Sequence, residues 1–176
     1  MQKITRFQDI VPFTRSGSWE CDFSLESAVQ QVDKREKELG LNTDPDFQRA
    51  HVWTEDQQVA WLEFFLRGGK TGRVLYFNDP GWSRKREVGQ FVMVDGKQRL
   101  QAMRRFIGNE IQVFGSYHKE YTDRLRIHYT IKLHVNDLPT RADVLRWYLE
   151  FNSGGTPHST DEITRVRELL VQEENA

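Results

Sequence analysis

Apolar residues recur at helical spacing in several stretches of the chain, and capping residues mark the ends of these stretches. Residues 24–39 begin with Ser24 as a candidate N-cap and stop at Gly40. Thr54 and Gln57 form a capping box ahead of a broad apolar face that ends at a glycine pair. The spacing predicts a surface helix and then a core helix. Further helices are predicted after Gly96, from Thr140 and from Ser159.

Shorter stretches predict strands. Residues 73–77 and 90–94 are mostly apolar, while residues 126–135 alternate between apolar and polar positions, which is typical of a half-buried strand of the antiparallel type. The second stretch continues into Asp95-Gly96 and then into helical spacing, which predicts a unit of strand, tight turn and helix. The order of these elements predicts an α+β fold, a small mixed sheet flanked by helices.

Length and composition favour one domain over residues 1–176, with residues 172–176 expected to fray. A formal net charge of -1 provides no global attraction to nucleic acid, so any anion-binding surface must be local. Cys21 has no partner for a disulfide, the N-terminus does not resemble a signal peptide, and no apolar run is long enough to span a bilayer. We expect a cytoplasmic protein without a membrane segment.

The most informative stretch is VDGKQRL at 94–100, where an apolar strand meets a helix start. First-turn amides lack intrahelical acceptors and lie at the positive end of the helix dipole, so they favour a phosphate group. Gly96 allows close backbone approach, Lys97 and Arg99 add positive charge, and Gln98 offers an amide to a base or sugar. The plain structural alternative is an N-cap followed by solvated charges.

Asp95 would repel phosphate in such a site unless another group intervenes. We therefore consider Asp95 as a ligand of Mg²⁺ or another hard cation, or as the residue that orients a nucleophilic water or an arginine.

A second cluster lies just before the core helix. Gln48 and Arg49 are candidates for a phosphate or carboxylate contact, and Trp53 is a candidate for stacking on a base. A tryptophan in that position is more often part of the core, so the arginine is the stronger candidate.

A third cluster, FNSGGTP at 151–157, separates the last two predicted helices. Its glycines can simply end a helix in a left-handed conformation. If the loop folds beside the other clusters, its exposed amides can close over a ligand. The candidate ligand contacts are then Asn152, Ser153, Gly154, Gly155 and Thr156.

Other sites are disfavoured. The five histidines lack the spacing of a metal site, one cysteine excludes a cysteine-based zinc cluster, and no G-x-x-x-x-G-K-[ST] loop is present. The charged run at 84–87 is more typical of a solvated loop than of a phosphate contact.

The three clusters, in this order, resemble elements of the N-terminal domain of GmrSD-type modification-dependent restriction enzymes. FQRAHVW (47–53), DGKQRL (95–100) and FNSGGTP (151–157) are similar to the family's Q-R…W, D-G-Q-Q-R and N-x-G-G-T-P elements. The resemblance implies a ParB/sulfiredoxin-like fold and an activity that couples nucleotide binding or hydrolysis to DNA cleavage or sensing. It implies a phosphate site at 95–99 with Gln48 and Arg49 as the other wall, and Lys97 stands where glutamine is commoner.

Full-length members of that family often add an HNH-type nuclease domain, which is not found here. We expect a free-standing domain, a fragment, or one subunit of a split system whose partner carries the nuclease. The leading hypothesis is a nucleotide-binding, Mg²⁺-assisted phosphohydrolase or nuclease acting on DNA, with Asp95, Arg99 and Arg49 as catalytic residues. The alternatives are a non-catalytic nucleotide- or DNA-binding regulatory module and an interaction or inhibitor protein.

Overall fold

The computed structural model describes residues 5–6, 10, 18–48, 53–80, 82, 89–123, 125, 129–153 and 160–175, and for 151–153 and 160 the backbone alone. Within these ranges the strands are β1 (Trp19–Phe23), β2 (Val74–Asn78), β3 (Val92–Asp95) and β4 (Ile131–Asn136). The helices are α1 (Leu25–Leu39), α2 (Glu55–Leu66), α3 (Lys97–Ile107), α4 (Arg141–Ser153) and α5 (Thr160–Glu174).

The strands form one mixed sheet in the order β1-β4-β2-β3. The pair β1/β4 is antiparallel, β4/β2 is parallel and β2/β3 is antiparallel. In the register of β2, Tyr76 lies opposite His134 on one side and Asp95 on the other. The sheet therefore brings the end of β3 next to the middle of β2.

Local capping fixes the ends of the first two helices. The Ser24 hydroxyl accepts a hydrogen bond from the Ser27 amide at 3.2 Å, and Gly40 ends α1 with a φ of 67°. Thr54 and Gln57 form the predicted capping box at the start of α2. These short-range interactions explain why the two helix boundaries follow from the sequence.

Two apolar cores lie on the two faces of the sheet. The larger core packs α1, α2 and α3 against side chains such as Leu75, Met93 and Leu133, all buried. The smaller core packs α4 and α5 against Val92 and Val94 on the opposite face of β3. Because β3 contributes alternate residues to both cores, its end is held from both sides.

The predicted α+β class with a small mixed sheet flanked by helices is confirmed. Strand β1 was not predicted, and β4 begins at Ile131 and pairs in parallel with β2 as well as antiparallel with β1. Helix α4 continues through residues 151–153, which the sequence placed in a turn, and α5 continues to Glu174. Among the helices described, none is long and apolar enough to cross a bilayer.

Candidate functional site

The unit of strand, turn and helix predicted around Gly96 is present, and this glycine is required on two grounds. Its φ of 108° is one that L side chains rarely adopt. A Cβ placed there would also lie 2.5 Å from Cδ2 of Leu75, a residue that is fully buried. The turn therefore directs β3 into α3 with the backbone of Gly96 against β2.

Arg99 occupies the third position of α3 and reaches back toward the sheet. Its Nη2 donates to Oδ2 of Asp95 and, at 3.1 Å, to the carbonyl oxygen of Val74. The Nε atom is buried and has no acceptor among the residues that the structure describes. The side chain is 18% exposed, so the guanidinium is fixed between the end of β3 and the start of β2 while part of it faces outward.

Asp95 orients this arginine, which was one of the roles that the sequence left open for it. In the described part of the chain, no group of three metal-ligating side chains is found. With one carboxylate oxygen of Asp95 engaged by a guanidinium and no group of three ligating side chains around it, the described donor set does not fit a Mg²⁺ site held by the protein.

Hydrogen bonds connect the second cluster to the unit formed by β3, the turn at Gly96 and α3. The Gln48 side-chain amide donates to the carbonyl oxygen of Met93 at 2.7 Å, and Gln48 is 8% exposed. The Trp53 amide donates to Oε1 of Gln98 at 3.1 Å. Gln48 and Gln98 thus connect the segment before α2 to β3 and α3.

The Nζ atom of Lys97 forms an ion pair with the carboxylate of Asp44. Asp44 belongs to the turn that precedes the second cluster, and it was not predicted as a site residue. The N-T-D-P sequence around it indicates a turn but gives no sign of this pairing.

Two other neighbours of Arg99 were missed by reasoning from sequence. A Cβ at Gly72 would lie 3.3 Å from Nε1 of Trp61 and 3.9 Å from Cδ and Nη1 of Arg99. The Trp61 Nε1 atom is buried and has no hydrogen-bond partner among the described residues. The Trp53 ring is 6.3 Å from that of Trp61, at the end of a short row of aromatic rings.

The remaining predicted residues are only partly placed. Arg49 and residues 154–157 lie outside the described residues, and of Asn152 and Ser153 the backbone alone is described, at the end of α4. Helix α4 packs on β3 through the smaller core, which contains Leu145 and Tyr148 of α4 together with Val92 and Val94 of β3. The ligand contacts proposed for the third cluster stay predictions.

Electrostatics at the end of the sheet favour an uncharged phenol beside the site. Burial raises the pKa of Tyr76, and the nearby carboxylate of Asp95 raises it further. Tyr76 therefore stays neutral near pH 7 and adds no negative charge near Arg99.

Comparison with protein families matches residues 29–143 to "GmrSD restriction endonuclease, N-terminal domain". This is more than half of the sequence. The chain belongs to this family. The match includes the first two clusters of the GmrSD N-terminal domain described above, and it ends before the third cluster at 151–157.

Comparison with curated proteins gave no match. Among solved structures, this chain is similar to "Crystal structure of the C-terminally truncated chromosome-partitioning protein ParB from Caulobacter crescentus complexed with CTP-gamma-S". The identity is 16% and the TM-score is 0.39. The match covers 91% of this chain and 66% of the ParB chain.

Proposed function

We propose that this GmrSD N-terminal domain binds a nucleoside triphosphate, with a phosphoryl group held at the start of α3. In this proposal the bound nucleotide regulates DNA sensing or cleavage, and a nuclease centre is supplied by a partner subunit or a further domain. The observation that carries the proposal is the position of Arg99 beside the helix start, where its Nη2 atom lies 3.3 Å from the Cβ position of Gly96, the N-cap residue of α3.

The N–H groups of the Arg99 guanidinium support the binding of an anionic ligand. A guanidinium has five N–H groups, and two of them, on Nη2, donate to Asp95 and Val74. The N–H groups on Nε and Nη1 have no acceptor among the residues that the structure describes. A phosphoryl group is an acceptor that satisfies several such donors at once.

The helix start adds a second contribution. Gly96 caps α3 without a side chain, so no side-chain oxygen of the N-cap covers the first-turn amides. The positive end of the helix dipole favours a negative charge at this place. We assign Lys97 a supporting electrostatic role, and Gln48 the role of holding the site together rather than contacting the phosphate.

Hydrolysis of the nucleotide is the second candidate function. The Asp95 side chain is 29% exposed, and its Oδ1 atom accepts no hydrogen bond from any residue in the described ranges. A carboxylate oxygen in that position is able to accept a proton from an attacking water.

The test compares the wild type with Arg99→Ala and Asp95→Asn, using Arg67→Ala as a control because Arg67 is exposed and lies beyond the end of α2. Binding of each nucleoside triphosphate is measured by calorimetry, and phosphate release is measured with and without Mg²⁺. Arg99→Ala should weaken binding at least about 30-fold, roughly 2 kcal/mol for hydrogen bonds to a charged ligand, while Arg67→Ala binds normally.

Two results decide between the candidate functions. If the wild type releases phosphate and Asp95→Asn binds the nucleotide without turnover, the domain is a hydrolase. If the folded wild type binds without turnover, the domain is a regulatory module. Failure of the folded wild type to bind any triphosphate would reject both.

A further inference from the structure

A cleft of about 250 Å³ lies at the other end of α3 and takes no part in the site described above. Its floor includes the buried residues Leu25 and Phe106, from α1 and α3. Since α3 has 11 residues, the cleft and the phosphate site are separated by about 15 Å along the helix. The cleft is therefore a separate place on the molecule.

Aromatic rings form much of the wall of this cleft. Phe106 has the Tyr121 ring edge-on at a centroid distance of 5.9 Å, and Phe114 and Tyr129 complete the aromatic lining. Phe114 is 44% exposed and Tyr121 is 39% exposed, so aromatic surface is open to a ligand. A planar ligand can stack on such surfaces.

Phe114 is presented by an uncommon backbone conformation. Its φ is 49°, a left-handed value that is rare for a bulky side chain. The Phe114 amide donates to Oε1 of Glu63 at 3.1 Å, which fixes the turn against α2. Backbone strain of this kind clusters at binding sites, where surrounding contacts maintain it.

Carboxylates supply hydrogen-bond acceptors within the same cleft. Glu26 lies 3.3 Å from Nε2 of His118, and Asp123 has no hydrogen-bond or ion-pair partner among the described residues. Burial alone would raise the pKa of Glu26, but hydrogen bonds from its own amide, His118 and Ser24 outweigh this effect and lower it. Glu26 is thus an acceptor near pH 7.

We propose that this cleft binds a nucleobase carrying an exocyclic amino group, presented by a strand of DNA, which rests on DNA being the partner in the proposed function. The rings stack on the base, and Asp123 and Glu26 accept hydrogen bonds from its amino group. Thymine places a carbonyl oxygen where cytosine has its amino group, so the carboxylates disfavour it.

Cations beside the aromatic wall suit the backbone of such a strand. The guanidinium of Arg67 lies 5.2 Å from the centroid of the Phe114 ring, and Lys119 follows His118, a lining residue of the cleft, in the sequence. Both cationic side chains are exposed. Carboxylates that line the cleft and cations beside it match a base with its phosphates.

The experiment measures binding of labelled oligo-dC and oligo-dT to the full chain by fluorescence anisotropy. The wild type should bind oligo-dC about tenfold more tightly than oligo-dT. Phe114→Leu should weaken oligo-dC binding about 5- to 10-fold through loss of a stacking surface. Phe64→Leu is the matched control, because Phe64 is 45% exposed and does not line the cleft.

Asp123→Asn provides a second variant in case Phe114→Leu does not fold. Asn can donate as well as accept, so the preference for oligo-dC should fall to about threefold or less. Equal binding of the two strands by the wild type would overturn the proposal, as would an equal loss in Phe114→Leu and Phe64→Leu. An unchanged preference in Asp123→Asn would also overturn it.

Triphosphate binding, measured in parallel, separates this inference from the proposed function. Phe114→Leu should bind the nucleotide normally, and Arg99→Ala should lose the nucleotide but still prefer oligo-dC. Normal triphosphate binding without a strand preference rejects the cleft alone.

Discussion

The two ends of α3 are built in different ways. At its start, Arg99, Gln98 and Lys97 are each bonded to a group from a distant part of the sequence, and few of their atoms are free to move. At its end, the cleft is lined by rings that pack edge-on, and Asp123 has no partner among the described residues. Directional contacts therefore position the start of α3 for a charged group, while the end of α3 offers aromatic surface for stacking.

The largest expected effect comes from Gly96→Ala, which should destabilise the turn at the start of α3. Alanine is unfavourable at the φ of this position, and its methyl group would collide with Leu75. We therefore expect a loss of about 3 kcal/mol of unfolding free energy. Gly40→Ala is the matched control, because Gly40 also has a positive φ but nothing within 4 Å of its Cβ position. Urea unfolding should show the smaller loss, about 1 kcal/mol, in the control; equal losses would contradict the crowding at Gly96.

Arg99→Lys tests whether geometry or charge holds the phosphate. Lysine keeps the charge but loses the fork that contacts Asp95 and Val74, so triphosphate affinity should fall about tenfold. Arg67→Lys, the equivalent change near the cleft, should leave that affinity unchanged. A normal affinity in Arg99→Lys, measured by calorimetry, would mean that a point charge suffices.

Gln48→Met removes a buried hydrogen bond, for comparison with the part-buried one made by Tyr121. It leaves the buried Met93 carbonyl without its donor, and we expect a loss of about 1–2 kcal/mol in urea unfolding. Tyr121→Phe removes a 2.6 Å hydrogen bond to the Val113 carbonyl at the cleft. Tyr121 is 39% exposed, so water can substitute and the loss should be smaller. The reverse order would argue against a rigid first end.

Acid should weaken the first end slightly. Arg141 donates to both carboxylate oxygens of Asp46 and, despite the opposing effect of burial, lowers its pKa below the ordinary 3.8. A lowered pKa means that the contribution to stability is complete above the ordinary, unfolded-state value of 3.8 and is lost as the pH falls through the lower folded-state pKa. Between pH 6 and pH 3, urea unfolding should show a smaller loss in Asp46→Asn than in the wild type. Identical losses would show that the pair contributes nothing.

Sequence reasoning succeeded where the determining contacts are local. The caps at Ser24 and Thr54 and the turn at Gly96 each depend on residues within a few positions, and all three are present as predicted. Strand β1 was missed because its three middle residues are exposed, so it lacks the alternation of a half-buried strand. The parallel pairing of β2 with β4 depends on long-range packing that no short pattern reports.

At the candidate site the same distinction holds. Orienting an arginine was one of the roles that the sequence left open for Asp95, and the arginine it contacts is Arg99, four residues later. The contact from Gln48 to Met93 spans 45 positions, and the role of Trp61 depends on its position beside Gly72. Reasoning from sequence named Gln48 only as a ligand contact, and the Trp61 side chain carries no signal in the sequence beyond that of a core residue.

The most direct test of the central claim is an amide NMR titration with a nucleoside triphosphate. If a phosphoryl group binds at the start of α3, the amide resonances of Lys97, Gln98 and Arg99 should shift with one shared affinity, while those of Phe106 and Ile107 stay in place. Saturable binding that leaves the first three amides unmoved would contradict the account.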